Sequence, residues 1–130
     1  MPNDHDVRFT DRELDVMQVL WERGSATVSD VQEALADELA YTTVLTILRT
    51  LDEKGHVRHE SEGRAYRWFP CVERAEARSS ALRHLLDRVF AGNPEALLTH
   101  LVAERDLTAT EIERMRRLLG DEDAGEGGRR

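Results

Sequence analysis

The segment YTTVLTILRTLDEKG, from Tyr41 to Gly55, constrains the fold more than any other part of the chain. At about 100° per residue, Tyr41, Val44, Leu45, Ile47, Leu48 and Leu51 share one contiguous arc of a helix. Thr42, Thr43, Thr46, Arg49, Thr50 and Glu53 fill the opposite arc. The first arc has to be buried against other elements, and the second carries short polar side chains and one guanidinium to the surface. Gly55 ends this helix. Two runs of strand formers follow, His56 to Glu60 and Ala65 to Phe69, separated by the glycine-containing turn Ser61-Glu62-Gly63-Arg64. They predict a β-hairpin with a four-residue turn, closed by Pro70.

Two further helices precede this segment. Thr10 with Glu13 has capping-box spacing, and Leu14, Met17, Leu20 and Trp21 then recur at helical intervals until Gly24. A shorter helix is expected to start at Thr27 or Ser29, with Val31, Leu35 and Leu39 facing inward. Three helices and then a hairpin is the element order of a winged helix-turn-helix, which we assign to residues 1–70. The fold class is therefore mainly α with a small β-hairpin wing.

From Arg74 the helical period returns in three narrow stripes. Leu82, Leu85, Leu86, Val89 and Phe90 form the first, which breaks at Gly92-Asn93-Pro94. Leu97, Leu98, Leu101 and Val102 form the second, and Ile112, Met115, Leu118 and Leu119 the third, behind a Thr108–Glu111 capping box. Stripes this narrow bury little within one chain, so residues 71–120 are expected to be a helical dimerisation domain. The polar, glycine-rich stretch 121–130 is expected to be a disordered tail.

Composition narrows the function. No run reaches the roughly 20 apolar residues of a membrane span. The opening MPNDHDV lacks a signal-peptide pattern, and the lone Cys71 cannot form an internal disulfide. A soluble, cytoplasmic protein without direct membrane association is expected. The formal net charge of −8 runs against nucleic-acid binding, which draws on phosphate neutralisation. The segment 41–69 is locally different: Arg49, Lys54, Arg58, Arg64 and Arg67 outnumber Asp52, Glu53, Glu60 and Glu62 by one.

A helix that enters the major groove needs short polar side chains for close approach and an arginine for guanine edges or phosphates. Thr42, Thr43, Thr46, Arg49 and Thr50 meet that need, and Arg64 and Arg67 on the hairpin are placed to follow a phosphate backbone. Double-stranded DNA is the partner this pattern points to. The rival readings are a winged helix that docks a protein and a regulator that binds metal through its histidines. His56 and His59, three apart on a strand, face opposite ways, and His84 and His100 are isolated in sequence. Trp21, Tyr66, Trp68 and Phe69 read as core aromatics. No phosphate loop, nucleophile elbow or HExxH motif occurs, so no catalysis and no cofactor are expected.

The chain resembles the penicillinase-repressor family from about Phe9 to Leu119. The resemblance is carried by LDVMQVLWERG (Leu14 to Gly24), ATVSDVQEAL (Ala26 to Leu35), AYTTVLTILRTLDEKGHV (Ala40 to Val57), the wing GRAYRWFP (Gly63 to Pro70) and the run TATEIERMRRLL. It implies a homodimeric repressor that binds palindromic operators and blocks transcription, with base-contacting positions at Thr43 and Thr46. In the branches that control β-lactam resistance it also implies release by cleavage in the dimerisation domain, triggered by a membrane sensor with a metalloprotease domain. Those repressors are cut at an Asn-Phe pair, and the corresponding stretch here reads His100-Leu101. The copper-responsive branch carries Cys-x-Cys motifs near its end, and this tail has no cysteine.

Overall fold

The computed structural model describes residues 7–120; the expected tail at 121–130 lies outside the described residues. The chain divides into two compact units, one ending at His84 and the other beginning at Leu85.

The first unit is a winged helix. Its elements run α1 (Asp11–Arg23), β1 (Ala26–Thr27), α2 (Val28–Ala34), α3 (Tyr41–Glu53), β2 (Val57–Glu62) and β3 (Ala65–Pro70), and then the start of α4 (Arg74–Val89). Thr10 caps α1 and Thr27 caps α2, each in a reciprocal capping box, with Glu13 and Asp30 as the returning carboxylates. Gly24 ends α1 at φ 86°, where its N–H reaches the Leu20 carbonyl.

The sheet has three antiparallel strands in the order β1-β3-β2. The hairpin was expected, but the third strand was not: Ala26 pairs with Trp68 and Thr27 with Arg67. A two-residue strand whose second residue is the helix cap Thr27 carries no alternation, so β1 leaves no periodic signal in the sequence. The expected four-residue turn is also shorter in the structure. Glu62 pairs with Ala65, which leaves Gly63-Arg64 as a two-residue loop. Gly63 has φ +64° and Arg64 is not among the positive-φ residues, the pattern of a type II′ turn.

The core joins α1, α2, α3 and the sheet. Val16, Met17, Leu20, Val31, Val44, Leu48, Leu51, Val57 and Trp68 are its innermost residues, and each large side chain removed from water contributes about 1.5–3 kcal/mol. Two residues of the expected inner helix faces are on the surface. Leu14 is 37% exposed because the buried face of α1 is centred on Glu13, Val16, Met17 and Leu20, with Leu14 at its rim. Tyr41 is 45% exposed, since it opens α3 one turn before the first fully buried residue, Val44.

A smaller apolar cluster of Val7, Val72 and Ala77, with Phe9 and Trp21 against it, fastens the start of α4 to this unit. Ser80 is buried; its Oγ donates to the Val7 carbonyl at 2.8 Å and accepts from the Val7 N–H at 2.9 Å. The Trp21 indole N–H donates to the Val72 carbonyl at 2.7 Å.

The second unit holds the end of α4, α5 (Pro94–Glu104) and α6 (Ala109–Leu118). Asn93 caps α5, and Thr108 with Glu111 forms the expected capping box on α6. None of its described residues is buried. Leu85, Val89, Leu98, Leu101, Val102, Ile112, Leu118 and Leu119 are all exposed.

Candidate nucleic-acid interface

Helix α3 is set by its inner face, where Val44, Leu48 and Leu51 are fully buried and Leu45 and Ile47 are half-buried. That anchoring turns the other arc outward. Thr42, Thr43, Thr46 and Arg49 are exposed, and Thr50 is half-buried. The result is a helix face of small hydroxyl-bearing side chains with a guanidinium beside them, which permits close backbone approach to a groove.

The C-terminal end of α3 is tied to α1. Lys54 Nζ donates to both oxygens of the buried Glu13, at 3.0 and 2.9 Å. Burial alone would raise the Glu13 pKa. Hydrogen bonds from Lys54 and from the Thr10 N–H, together with the lysine charge, outweigh it and hold the carboxyl below its ordinary value.

On the wing, Arg64 is exposed at the loop and Arg67 is half-buried. The Arg67 fork is engaged within the protein. It donates to Glu62 at 2.5 and 3.1 Å and to Ser25 Oγ at 3.2 Å. This bidentate pairing lowers the Glu62 pKa and raises that of Arg67. Arg58 pairs with Glu60 and lies over the Phe69 ring, 4.2 Å from its centroid. Among the described residues, Arg49 and Arg64 are the cations of segment 41–69 that make no ion pair.

The structure separates the two histidines considered as a metal pair. His56 precedes β2 and packs edge-on against Phe9, at 5.1 Å between centroids. Its pKa is lowered by burial and then by the Lys54 charge. His59 lies on β2, where Nδ1 donates to Asp52 Oδ2 at 2.6 Å. Its ring packs on Tyr66 and Trp68, at 4.7 and 4.8 Å. No group of three or more His, Cys, Asp or Glu among the described residues is arranged to hold a metal ion. Of the aromatics expected in the core, Trp68 is buried and Trp21 and Phe69 are half-buried, but Tyr66 is 46% exposed. Tyr66 instead lines a groove between α3 and the hairpin with Arg49, Asp52, Glu53, His59 and Trp68. Sequence reading missed this contact because Asp52 and His59 belong to different elements. The available signal was Asp52, an acid that falls between Tyr41 and Leu45 on the otherwise apolar arc of α3.

In the second unit, Leu86, Leu97 and Met115 are half-buried, and Leu85, Val89, Leu98, Leu101, Ile112 and Leu119 are exposed. Leu82, on the part of α4 that belongs to the first unit, is 52% exposed. His100 and Leu101 lie within α5, with the His100 ring 5.9 Å from that of Phe90. No helix of the described residues is long and apolar enough to cross a membrane.

Comparison with known proteins gives a consistent answer. The family model described as penicillinase repressor matches residues 9–121. The chain is 38% identical over 126 residues to the transcriptional regulator BlaI of Mycobacterium tuberculosis strain H37Rv, covering 94% of this chain and 90% of that one. It is 25% identical over 114 residues to the penicillinase repressor of Bacillus licheniformis, covering 86% and 89%. Among solved structures, the YusO protein of Bacillus subtilis superposes at a TM-score of 0.51 with 17% identity, covering 92% of this chain and 76% of that one. That likeness concerns the fold alone.

Proposed function

The chain belongs to the penicillinase repressor family, and from that premise we propose that it represses transcription by occupying a palindromic operator as a homodimer. The observation that carries the reading is the exposed arc of Thr42, Thr43, Thr46 and Arg49, presented by a helix whose other face is locked into the core. In this reading Thr43 and Thr46 touch base edges, with Thr42, Arg49 and Thr50 beside them, and Arg64 and Arg67 follow the phosphates. No step of the function calls for catalysis or a cofactor.

Dimerisation is assigned to the helices beyond the wing, residues 71–120. Their apolar residues Leu82, Leu85, Leu86, Val89, Leu97, Leu98, Leu101, Ile112, Met115 and Leu119 would meet those of a second copy. What supports this is the absence of any buried residue among those described in the second unit. Helices of 11 and 10 residues are marginal alone in water and draw their stability from packing. Release by a membrane sensor metalloprotease cutting at His100-Leu101 would require α5 to open locally, because both residues lie inside a helix.

The test is a gel-shift titration with the DNA upstream of the chain's own gene, using a scrambled duplex as control. The Thr46→Ala, Arg49→Ala double variant is expected to lose about 1–3 kcal/mol per base contact while its circular dichroism stays unchanged. Unchanged affinity in a folded double variant would refute the assignment of α3.

A further inference from the structure

The groove between α3 and the hairpin holds a contact that the operator-binding reading leaves unused. His59 Nδ1 lies 2.6 Å from Asp52 Oδ2. A carboxylate only accepts, so the imidazole proton sits on Nδ1. Its other face is held by the rings of Tyr66 and Trp68 on β3. Asp52 is in the last turn of α3, one turn beyond Arg49, and His59 is on β2. The bond therefore joins the recognition helix to the wing across the same groove that Arg49 lines.

We infer that His59 is a positioning residue for operator binding: Asp52 and His59 fix the hairpin against the recognition helix, and operator binding takes up a proton at His59. The inference rests on the DNA-binding reading. Protonation does not break the bond, because Nδ1 donates in both charge states. It converts Nε2, which has no hydrogen-bond partner among the described residues, from an acceptor into a donor. The charged groups facing His59 are Asp52, Glu53 and Arg49 from α3, and from β3 it meets the Tyr66 phenol and the Trp68 indole. Asp52, Glu53 and Arg49 face His59 both before and after DNA binds. Phosphates brought near Arg49 add negative charge only in the complex, so binding favours the protonated form. Histidine charge changes between pH 5 and 8, and operator affinity is expected to rise as pH falls through that range.

The experiment measures the affinity of the full chain for the upstream duplex at pH 8 and pH 6, at constant ionic strength. If DNA makes the imidazole bind its proton tenfold more tightly, wild-type affinity gains up to about tenfold on acidification. His59→Asn, whose amide can still donate to Asp52, is expected to match wild type at pH 8 within about threefold and to lose most of the pH dependence. His59→Phe keeps the ring contacts without the donor, and is expected to bind more weakly at both pH values. An unchanged pH profile in His59→Asn, or wild-type affinity in His59→Phe, would overturn the inference. Proton NMR of the His59 ring in the unmodified chain gives a second readout that needs no variant. Its titration should move to higher pH on adding the duplex, and an unmoved titration overturns the proposal. Wild type that fails to bind the duplex at every pH would sink the DNA-binding reading and this inference with it. Binding with an unmoved His59 titration would sink this inference alone.

Discussion

The clamp between Glu13 and Lys54 gives a prediction whose sign is set by competing forces on one carboxylate. Glu13 is 5% exposed and accepts from Lys54 Nζ at 3.0 and 2.9 Å and from the Thr10 N–H at 2.9 Å. Removing the lysine as Lys54→Met leaves the carboxylate buried with only the cap N–H. Breaking a fully buried pair costs about 3–5 kcal/mol. The Lys54 side chain is 42% exposed, so a loss nearer about 2–3 kcal/mol at pH 7 is expected after allowing for solvent screening. Glu13→Gln should cost only about 1 kcal/mol, because the amide oxygen can still accept from Thr10.

The pH dependence is more discriminating. In wild type the Glu13 pKa is lowered, so its stabilisation is present above its ordinary value of 4.5 and is lost as pH falls through the folded value. In Lys54→Met burial is no longer outweighed, and the pKa moves above the ordinary value. Stability from this group then falls as pH rises from about 4 towards neutrality. The Glu13→Gln, Lys54→Met double variant should show neither slope. The assay is urea unfolding of the full chain from pH 4 to pH 7 by tryptophan fluorescence, since Trp21 and Trp68 both lie in the first unit. A Lys54→Met chain that loses under about 0.5 kcal/mol, within ordinary surface variation, or keeps the wild-type slope, would refute the reasoning.

Three further outcomes test the proposed function. Arg64→Ala should reduce the salt dependence of operator binding by about one unit while weakening all duplexes alike. Arg67→Ala should change it less, because the Arg67 fork is held by Glu62 and Ser25; salt titration of both variants decides this. Leu86→Asp or Met115→Asp should give monomers by sedimentation with most operator affinity lost, since an unpaired carboxylate in an apolar interface is costly. Truncation after His84, which keeps the Ser80–Val7 and Trp21–Val72 contacts, should give a folded monomer equally weak on DNA. An intact dimer from both Asp variants would show the interface to be misplaced.

The parts of this fold that were legible in the sequence are those governed by local signals. Capping boxes at Thr10 and Thr108, the glycine stop at Gly24, and the split arcs of α3 each depend on residues within one or two turns, and the structure shows them all. What was not legible depends on packing partners distant in sequence. Ala26 and Thr27 become a strand only because β3 lies beside them. Leu14 is exposed, although its spacing matches the buried stripe, because the face of α1 is chosen by where α3 and the sheet lie. His59 read as facing away from His56 with no partner near it in sequence, and only the return of β2 along α3 brings it to Asp52. Of the site residues, exposure follows from the helix arcs. The engagement of Arg67 by Glu62 follows from hairpin pairing, which the sequence indicated only roughly.

Under the proposed function, charge and core together would make one chain insufficient. The net charge of −8 overstates the repulsion that DNA would meet at the wing. Glu60 and Glu62 are each paired with a guanidinium there, and Glu13 is buried under Lys54. The same pairing leaves Arg49 and Arg64 as the cations of that segment, among the described residues, with no ion pair. Each phosphate neutralised contributes about 0.9 to the salt slope, so Arg49 and Arg64, with Arg67 already held by Glu62, supply at most about two or three such contacts. That is far fewer than the roughly six to ten behind strongly salt-dependent binding, and a single wing is expected to hold DNA near the non-specific range of about 10⁻⁴ to 10⁻⁶ M. Joining two wings about one helical turn apart makes the second contact effectively intramolecular without adding charge to either. The second unit has the converse deficiency: its short helices carry exposed leucines and have no buried residue among those described. In the proposed dimer, association through those helices would supply the missing core and the second wing in one step, and would couple folding of the C-terminal unit to operator affinity.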